Sequence, residues 1–228
     1  MQQVVDIKSI VADTLMMAGL ADQSIEDSVR SLADHDVDLA GRVIDRDAEI
    51  DRLKLDIDRK CIDTLAGTLE GKALRVVLGT YRLIVDLERI GDYSVAVSRV
   101  TIAVANKPVS GSSLEILRMA EIARRMLKKA MDLYAGKSTG DLGTVYENDL
   151  GIDRLYGNVF YNSLGEIVHE PERSTNIIYL IMAARALERI GDHISDIAER
   201  VEYIETGRLK ERSVPMHVPY GERDAGWE

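Results

Sequence analysis

The sequence predicts an all-α protein built as two tandem three-helix bundles. Three observations carry that expectation. Leu87-Glu88-Arg89-Ile90-Gly91-Asp92 recurs as Leu187-Glu188-Arg189-Ile190-Gly191-Asp192, 100 positions later in a chain of 228 residues. Self-similarity at a fixed displacement marks an internal repeat. A second echo runs between Asp47-Ala48-Glu49-Ile50-Asp51-Arg52-Leu53 and Asp149-Leu150-Gly151-Ile152-Asp153-Arg154-Leu155, displaced by 102 positions, so a change of two residues in length separates the halves. The four prolines are Pro108, Pro171, Pro215 and Pro219, and none precedes Pro108, which leaves the first half free to run as nearly continuous helix.

Each helix follows in order. The first is expected over residues 2–33 and ends near Asp34-His35-Asp36, whose short polar side chains can cap the next helix. That helix covers 36–66 and stops at a break framed by Gly67 and Gly71. A third covers 72–105. Asn106-Lys107-Pro108-Val109-Ser110-Gly111-Ser112 reads as the linker. Helices resume over 112–136, 140–169 and 172–205, with a turn from Gly136 to Gly140. Pro171 stands at a helix start, where a missing N–H costs nothing. The domains are therefore 1–106 and 112–205, two bundles with separate cores. Residues 206–228, with two prolines and Gly207, Gly221 and Gly226, read as an irregular tail.

Composition narrows the function classes. Hydrophobic residues make up 46% and charged residues 30%, as suits a folded, soluble, helix-rich chain. No apolar run approaches the roughly 18 residues a membrane span needs, and Met1-Gln2-Gln3-Val4-Val5-Asp6 lacks the pattern of a secretion signal. The single Cys61 rules out an internal disulfide and a cysteine-based metal site; it reads as a small buried apolar residue. A cytoplasmic location is expected. A net charge of −10 argues against nucleic acid and against adhesion to an anionic membrane, and it suits cation binding.

The repeated motifs place carboxylates four residues apart, about 40° from each other around a helix. Like charges at that spacing cost roughly 0.2–0.5 kcal/mol. On the third helix, Leu74, Val77, Tyr81, Ile84, Val85 and Val95 share the side of Glu88 and Asp92, whereas Arg75, Arg82, Asp86 and Arg89 lie opposite. On the second helix, Ala40, Val43, Ile44, Cys61, Ile62 and Leu65 accompany Asp47 and Asp51, and Asp45, Arg52, Asp56 and Asp63 point away. The acidic pairs thus look inward. In the second half Leu142, Val145, Tyr156 and Phe160 accompany Asp149 and Asp153, and Ile177, Ile181 and Ala184 lie near Glu188 and Asp192. Arg185 lies there too, able to neutralise the pair without a metal, and Ser195 and Asp196 replace apolar residues.

A carboxylate facing a core must be paired, protonated or metal-bound. A single acidic pair reads as a solvated helix face; four pairs repeated in register favour metal ligation. The candidate ligands are Asp47, Asp51, Glu88 and Asp92 in one set and Asp149, Asp153, Glu188 and Asp192 in the other. Such sets suit Mg²⁺, Mn²⁺, Ca²⁺ or an iron cluster. Gly91 and Gly191 each cost about 1 kcal/mol in helix propensity, which implies either close approach of backbone or ion, or tight helix packing. His35, His169, His193 and His217 do not repeat between the halves, and His193 is expected on the surface, pointing away from the acidic face. Glu166-Ile167-Val168-His169 has the spacing of a di-iron motif but occurs once where such sites need two. No phosphate-binding loop, nucleophile elbow or zinc spacing is present. Trp227 lies in the tail.

The paired Leu-Glu-Arg-Ile-Gly-Asp motifs, each preceded by a helix carrying Asp-x-x-Ile-Asp, resemble the PhoU family over roughly residues 5–205. The resemblance implies two three-helix bundles of common topology and a phosphate-signalling regulator rather than an enzyme. It implies partners in a phosphate ABC transporter, at its ATPase subunit, or in a sensor histidine kinase, and a homodimer. It also implies multinuclear iron or other metal centres on the eight carboxylates named above. One departure is Tyr93, where the family usually has His, as His193 does in the second motif. PhoU-like domains also regulate potassium and sodium–phosphate transport, so a regulator of another ion transporter is an alternative. A carboxylate-bridged metalloenzyme is the rival from a different class. For docking, the outer faces carry Arg75, Arg82, Arg89, Arg189 and Arg200, of which Arg82 and Arg89 are the candidate partner-binding residues.

Overall fold

The computed structural model describes residues 7–105, 113–138 and 142–208. Among them are six α-helices and no strand: α1 (Ile7–Asp34), α2 (Val37–Leu65), α3 (Gly71–Val104), α4 (Ser113–Tyr134), α5 (Gly143–His169) and α6 (Ser174–Thr206). The expected linker at 106–112 and the tail beyond 208 lie outside the described residues. Helix ends follow local chemistry. Asp36 caps α2 by accepting from the Leu39 N–H at 2.8 Å. His35 takes a left-handed φ of 54°, and the Asp36 N–H closes back onto the Ser31 carbonyl at 2.9 Å. Gly136 plays the same part after α4, with φ 68°. Pro171 opens a single 3₁₀ turn, Pro171–Arg173, that leads into α6.

Helices α1, α2 and α3 pack on one another as one bundle, and α4, α5 and α6 as the other. The most extensive packing in the molecule, however, is between the bundles, along α3 and α6. These are also the longest helices, at 34 and 33 residues, or about 50 Å each. They run antiparallel. Gly79, early in α3, lies against Ile204, late in α6, so closely that an added Cβ would sit 2.5 Å from Ile204 Cγ1. A second joint between the bundles runs along α1 and α4, where Arg124 grips Asp22 through Nε at 3.0 Å and Nη2 at 2.9 Å. Tyr134 of α4 reaches the buried Thr80 of α3 with its hydroxyl, 2.6 Å away.

The separate cores expected from the repeat are therefore one core. Buried apolar residues form a continuous cluster from Ile10 and Ile25 on α1, through Leu83, Leu87 and Ile90 on α3, to Leu187, Ile190 and Ile197 on α6. The reason is visible on α3. Val97, Val100 and Val104 add a second buried apolar side to the helix, so it can pack against more than one neighbour.

Leu187→Ala, at a fully buried position, is expected to cost about 2–5 kcal/mol. Because the core is shared, urea should unfold wild type and variant in a single transition that shifts as a whole. Two separable transitions, with only the later one moved, would contradict the shared core.

Candidate functional site

The repeated motifs meet in pairs. Asp47 and Asp51 on α2 come together with Glu88 and Asp92 on α3, near enough that each of the other three raises the pKa of Asp47. Asp149 and Asp153 on α5 meet Glu188 and Asp192 on α6 in the same way, with Asp192 and Asp153 both acting on Glu188. The structure thus gathers all eight sequence-derived candidates into two clusters, one per bundle.

Glycine makes each meeting close. A Cβ on Gly91 would lie 2.8 Å from Asp47 Oδ1 and 3.1 Å from Ile50 Cδ1. On Gly191 it would lie 2.8 Å from Asp149 Oδ1 and 3.1 Å from Ile152 Cδ1. The repeat thus extends from sequence to interatomic geometry. Both readings of the glycines hold together: the helices pack tightly, and what they pack against is a carboxylate and its isoleucine neighbour.

The clusters are less inward-looking than the periodicity suggested. Asp149 and Glu188 are buried, Asp47 and Glu88 half-buried, and Asp51 and Asp92 exposed. The apolar companions assigned to the acidic face of α3 separate likewise: Ile84 is buried, but Tyr81 and Val85 are exposed, as is Ile62 on α2. The carboxylates therefore grade from buried to exposed, and the clusters reach solvent on one side.

The opposite side of α3 is also not what the periodicity suggested. Asp86, read as facing water, is 5% exposed, because that side of α3 packs on α6. His193, read as a surface residue, sits half-buried in this seam. Its Nδ1 lies 3.1 Å from Asp86 Oδ1, and its ring stacks on Tyr93 at 5.7 Å between centroids. Arg200 Nε lies 3.1 Å from the other oxygen of Asp86. Asp86, His193 and Asp196 also have the spacing of a metal-binding group, but the arginine already balances Asp86, and we read the set as an ionic lock between the bundles. Arg75 is likewise engaged, donating from Nε to the Ile204 carbonyl at 3.1 Å. Of the arginines expected to be free for docking, Arg82 is exposed. Arg89 turns toward the acidic cluster instead, with Nη1 3.0 Å from Asp92 Oδ2. Arg189 repeats that pairing with Asp192 at 2.7 Å.

Sequence reasoning missed Lys54, whose Nζ lies 2.8 Å from Glu88 Oε1. It flagged Arg185 correctly: the guanidinium pairs with Glu188 Oε1 and covers the Tyr156 ring, 5.6 Å from its centroid. The signal for Lys54 was available, since it stands one helical turn beyond Ile50, three residues past Asp51.

Even with these cations, charge in the clusters is incompletely met. Asp47 Oδ1 and Glu188 Oε2 are buried and accept no hydrogen bond among the described residues. Burial first, then the neighbouring carboxylates Asp51, Asp92 and Glu88, push Asp47 up to about 6. Burial first, then Asp192, push Glu188 up to about 7, against the opposing pull of Arg185. Orphaned carboxylate oxygens in an all-oxygen donor set fit a hard cation.

These shifts fix a pH dependence for the metal-free protein. Below about pH 4.5 Glu188 is protonated in both folded and unfolded chains. Between there and about 7 only the folded chain keeps the proton, so the stability this group confers is lost as pH rises through about 7. Asp47 acts in the same sense up to about 6. Chelator-treated protein should lose stability from about pH 5 to 8, on the order of 2 kcal/mol of it through Glu188. Glu188→Gln should flatten that profile and raise stability at the alkaline end. Urea titrations across this range check it; a variant profile parallel to wild type would contradict the assignment.

Comparison with known proteins agrees with this geometry. The PhoU domain family model matches the chain twice, over residues 14–101 and 116–201. The phosphate-specific transport system accessory protein PhoU homolog of Rhizobium meliloti is 34% identical over 204 residues, covering 89% of this chain and 86% of its own. The corresponding protein of Pseudomonas aeruginosa is 30% identical over 205 residues, covering 89% and 84%. The crystal structure of PhoU from Pseudomonas aeruginosa superposes with a TM-score of 0.84, at 30% identity, over 88% of this chain and 97% of that one. The phosphate transport system regulatory protein PhoU from Streptococcus pneumoniae, at 21% identity and a TM-score of 0.79, shares the fold over 90% and 97%. With two matched domains, two glycine-spaced acidic clusters and relatives spanning nearly its whole length, this chain belongs to the PhoU family.

Proposed function

We propose that this chain regulates phosphate uptake and phosphate-responsive signalling by protein contact, with a metal centre in each bundle. The observation that carries the reading is the duplicated cluster: twice, carboxylates of two helices gather where one of them, Asp47 or Asp149, lies against a glycine at the same spacing. Relatives aligned over 89% of the chain are named accessory proteins of the phosphate-specific transport system, which supports a role in that system rather than turnover of a substrate. Among the described residues no helix is long and apolar enough to cross a membrane. On this reading the protein works in the cytoplasm, as a homodimer, against the transporter's ATPase subunit or a sensor histidine kinase.

Asp47, Asp51, Glu88 and Asp92 would hold one centre, and Asp149, Asp153, Glu188 and Asp192 the other, as iron in a carboxylate-bridged cluster or as Mg²⁺ or Mn²⁺. When bound, the ion supplies positive charge that neutralises the clustered carboxylates and ties the two helices of each cluster together. The docking surface is proposed on α3, where Leu78, Tyr81 and Val85 are exposed at helical spacing and Arg82 stands among them. Arg89, one turn on, joins this surface to the acidic cluster. Apolar contact at the centre and charge at the side is the composition of a protein interface.

Two outcomes are expected. Chelator-stripped protein should bind Mn²⁺ or Fe²⁺ at more than one site per chain and melt at higher temperature when loaded, with Asp47→Asn/Glu88→Gln losing one site and keeping the other. No binding above background would remove the metal centres from the reading. Immobilised protein should retain the phosphate-transporter ATPase or a sensor kinase from native lysate, and Tyr81→Ala/Arg82→Glu should reduce that capture at least about tenfold, or roughly 1.4 kcal/mol. Capture of neither component, or undiminished capture by the variant, would overturn the partner or the surface respectively.

A further inference from the structure

The two acidic clusters match in their carboxylates and glycine but differ in the residues around them. On α6, Arg185 stands where α3 has Val85, and Ser195 where α3 has Val95. On α5, Tyr156 stands where α2 has Lys54. All three differences converge on the second cluster. Arg185 pairs with Glu188, Tyr156 carries the guanidinium on its ring at 5.6 Å, and the Ser195 hydroxyl donates to Asp149 Oδ2 at 2.7 Å. In the first cluster the corresponding Val85 and Val95 offer Glu88 and Asp47 nothing.

The first cluster has its own cations, Lys54 on Glu88 and Arg99 acting on Asp47, and it holds Lys54 differently. The Glu88 side chain is 17% exposed and Lys54 29%, and the ammonium is a point charge on a flexible, rotatable stem. The Glu188 side chain is 4% exposed beneath Arg185, whose own side chain is 45% exposed. A planar guanidinium, stacked on an aromatic face and paired with a buried carboxylate, is preorganised by those two contacts rather than by burial. It gives up its place to an incoming ion less readily than a lysine that can swing into water.

We propose, resting on the metal reading above, that the two centres are inequivalent: the first is the high-affinity, exchangeable metal site, and Arg185, with Tyr156 and Ser195, is a tethered competitor that lowers the affinity of the second. Arg185 is a positioning residue and not a ligand. The duplicated fold thereby carries two responses to the same cation, one saturating before the other.

Titration of chelator-stripped protein with Mn²⁺, read by the EPR signal of free Mn²⁺ and by calorimetry, tests this. Wild type should show two classes of site at least about tenfold apart, and Asp47→Asn/Glu88→Gln should remove the tighter class. Arg185→Val, which installs the residue of the first repeat at a position whose side chain is 45% exposed, should tighten the weaker class toward the first. Arg185→Lys should fall between. The reciprocal exchange, Lys54→Tyr with Val85→Arg, should weaken the tighter class, so a folding defect in one variant does not decide the result. Equal affinities in wild type, or a weaker class unmoved by Arg185→Val, overturn the inequivalence while leaving metal binding intact. Absence of Mn²⁺ binding to wild type at either cluster overturns both readings together.

Discussion

The close approach of helices at Gly91 and Gly191 is the constraint on which the functional architecture depends. With no side chain at these positions, α2 and α5 come near enough for Asp47 and Asp149 to lie 2.8 Å from where a Cβ would project. That separation brings two carboxylates from each helix into one cluster. A larger residue would push aside the Asp47 or Asp149 carboxylate and the isoleucine tip beside it, and so disturb the cluster at its most closely packed point. The motif therefore combines residues with distinct tasks. Leu87 and Ile90 anchor α3 in the core, Gly91 sets the approach, Glu88 and Asp92 present the charge, and Arg89 folds back onto Asp92 to moderate it.

A second consequence follows from the length of α3 and α6. Each carries its acidic cluster on one side and the seam between bundles on the other, so the two clusters are attached to the two sides of a single interface. The seam is apolar for most of its length and is locked by Asp86, His193 and Arg200. An unpaired charge buried there would be costly; Arg200 supplies the countercharge to Asp86, and His193 lies within hydrogen-bond distance of its other oxygen. Tyr93 and His193 occupy equivalent places in the two motifs and stack across the seam at 5.7 Å. The departure from the family pattern at Tyr93 thus lies at the contact between the repeats, outside the acidic clusters.

Much of this was legible in the sequence. Helix boundaries came from Asp36, Gly136 and Pro171, whose local chemistry operates without tertiary context, and the helix ends that fall among the described residues lie within a few residues of the expected ones; the expected first-helix residues 2–6 and Gly140 lie outside them. The pairing of the acidic motifs followed from the repeat. What periodicity could not distinguish was which apolar side of α3 faces its own bundle and which faces the other. Residues such as Val97 and Val100 line a side that looks, by helical wheel alone, like a polar face interrupted by valines. Hence Asp86 and His193 were placed in water and Tyr81 and Val85 in the core, the reverse of what is found. Contacts between α3 and α6 join residues distant in the chain, and no local pattern encodes them.

The account rests on the claim that the two glycine-spaced clusters are metal centres. Anomalous X-ray diffraction at the manganese or iron edge, from crystals of the metal-loaded protein, tests it most directly. The account predicts two groups of anomalous peaks per chain, one within coordination distance of Asp47, Asp51, Glu88 and Asp92 and one of Asp149, Asp153, Glu188 and Asp192, the first fully occupied at limiting metal. Peaks confined to the seam beside Asp86 and His193, or clusters closed by their own lysine and arginine with no anomalous signal, would contradict it.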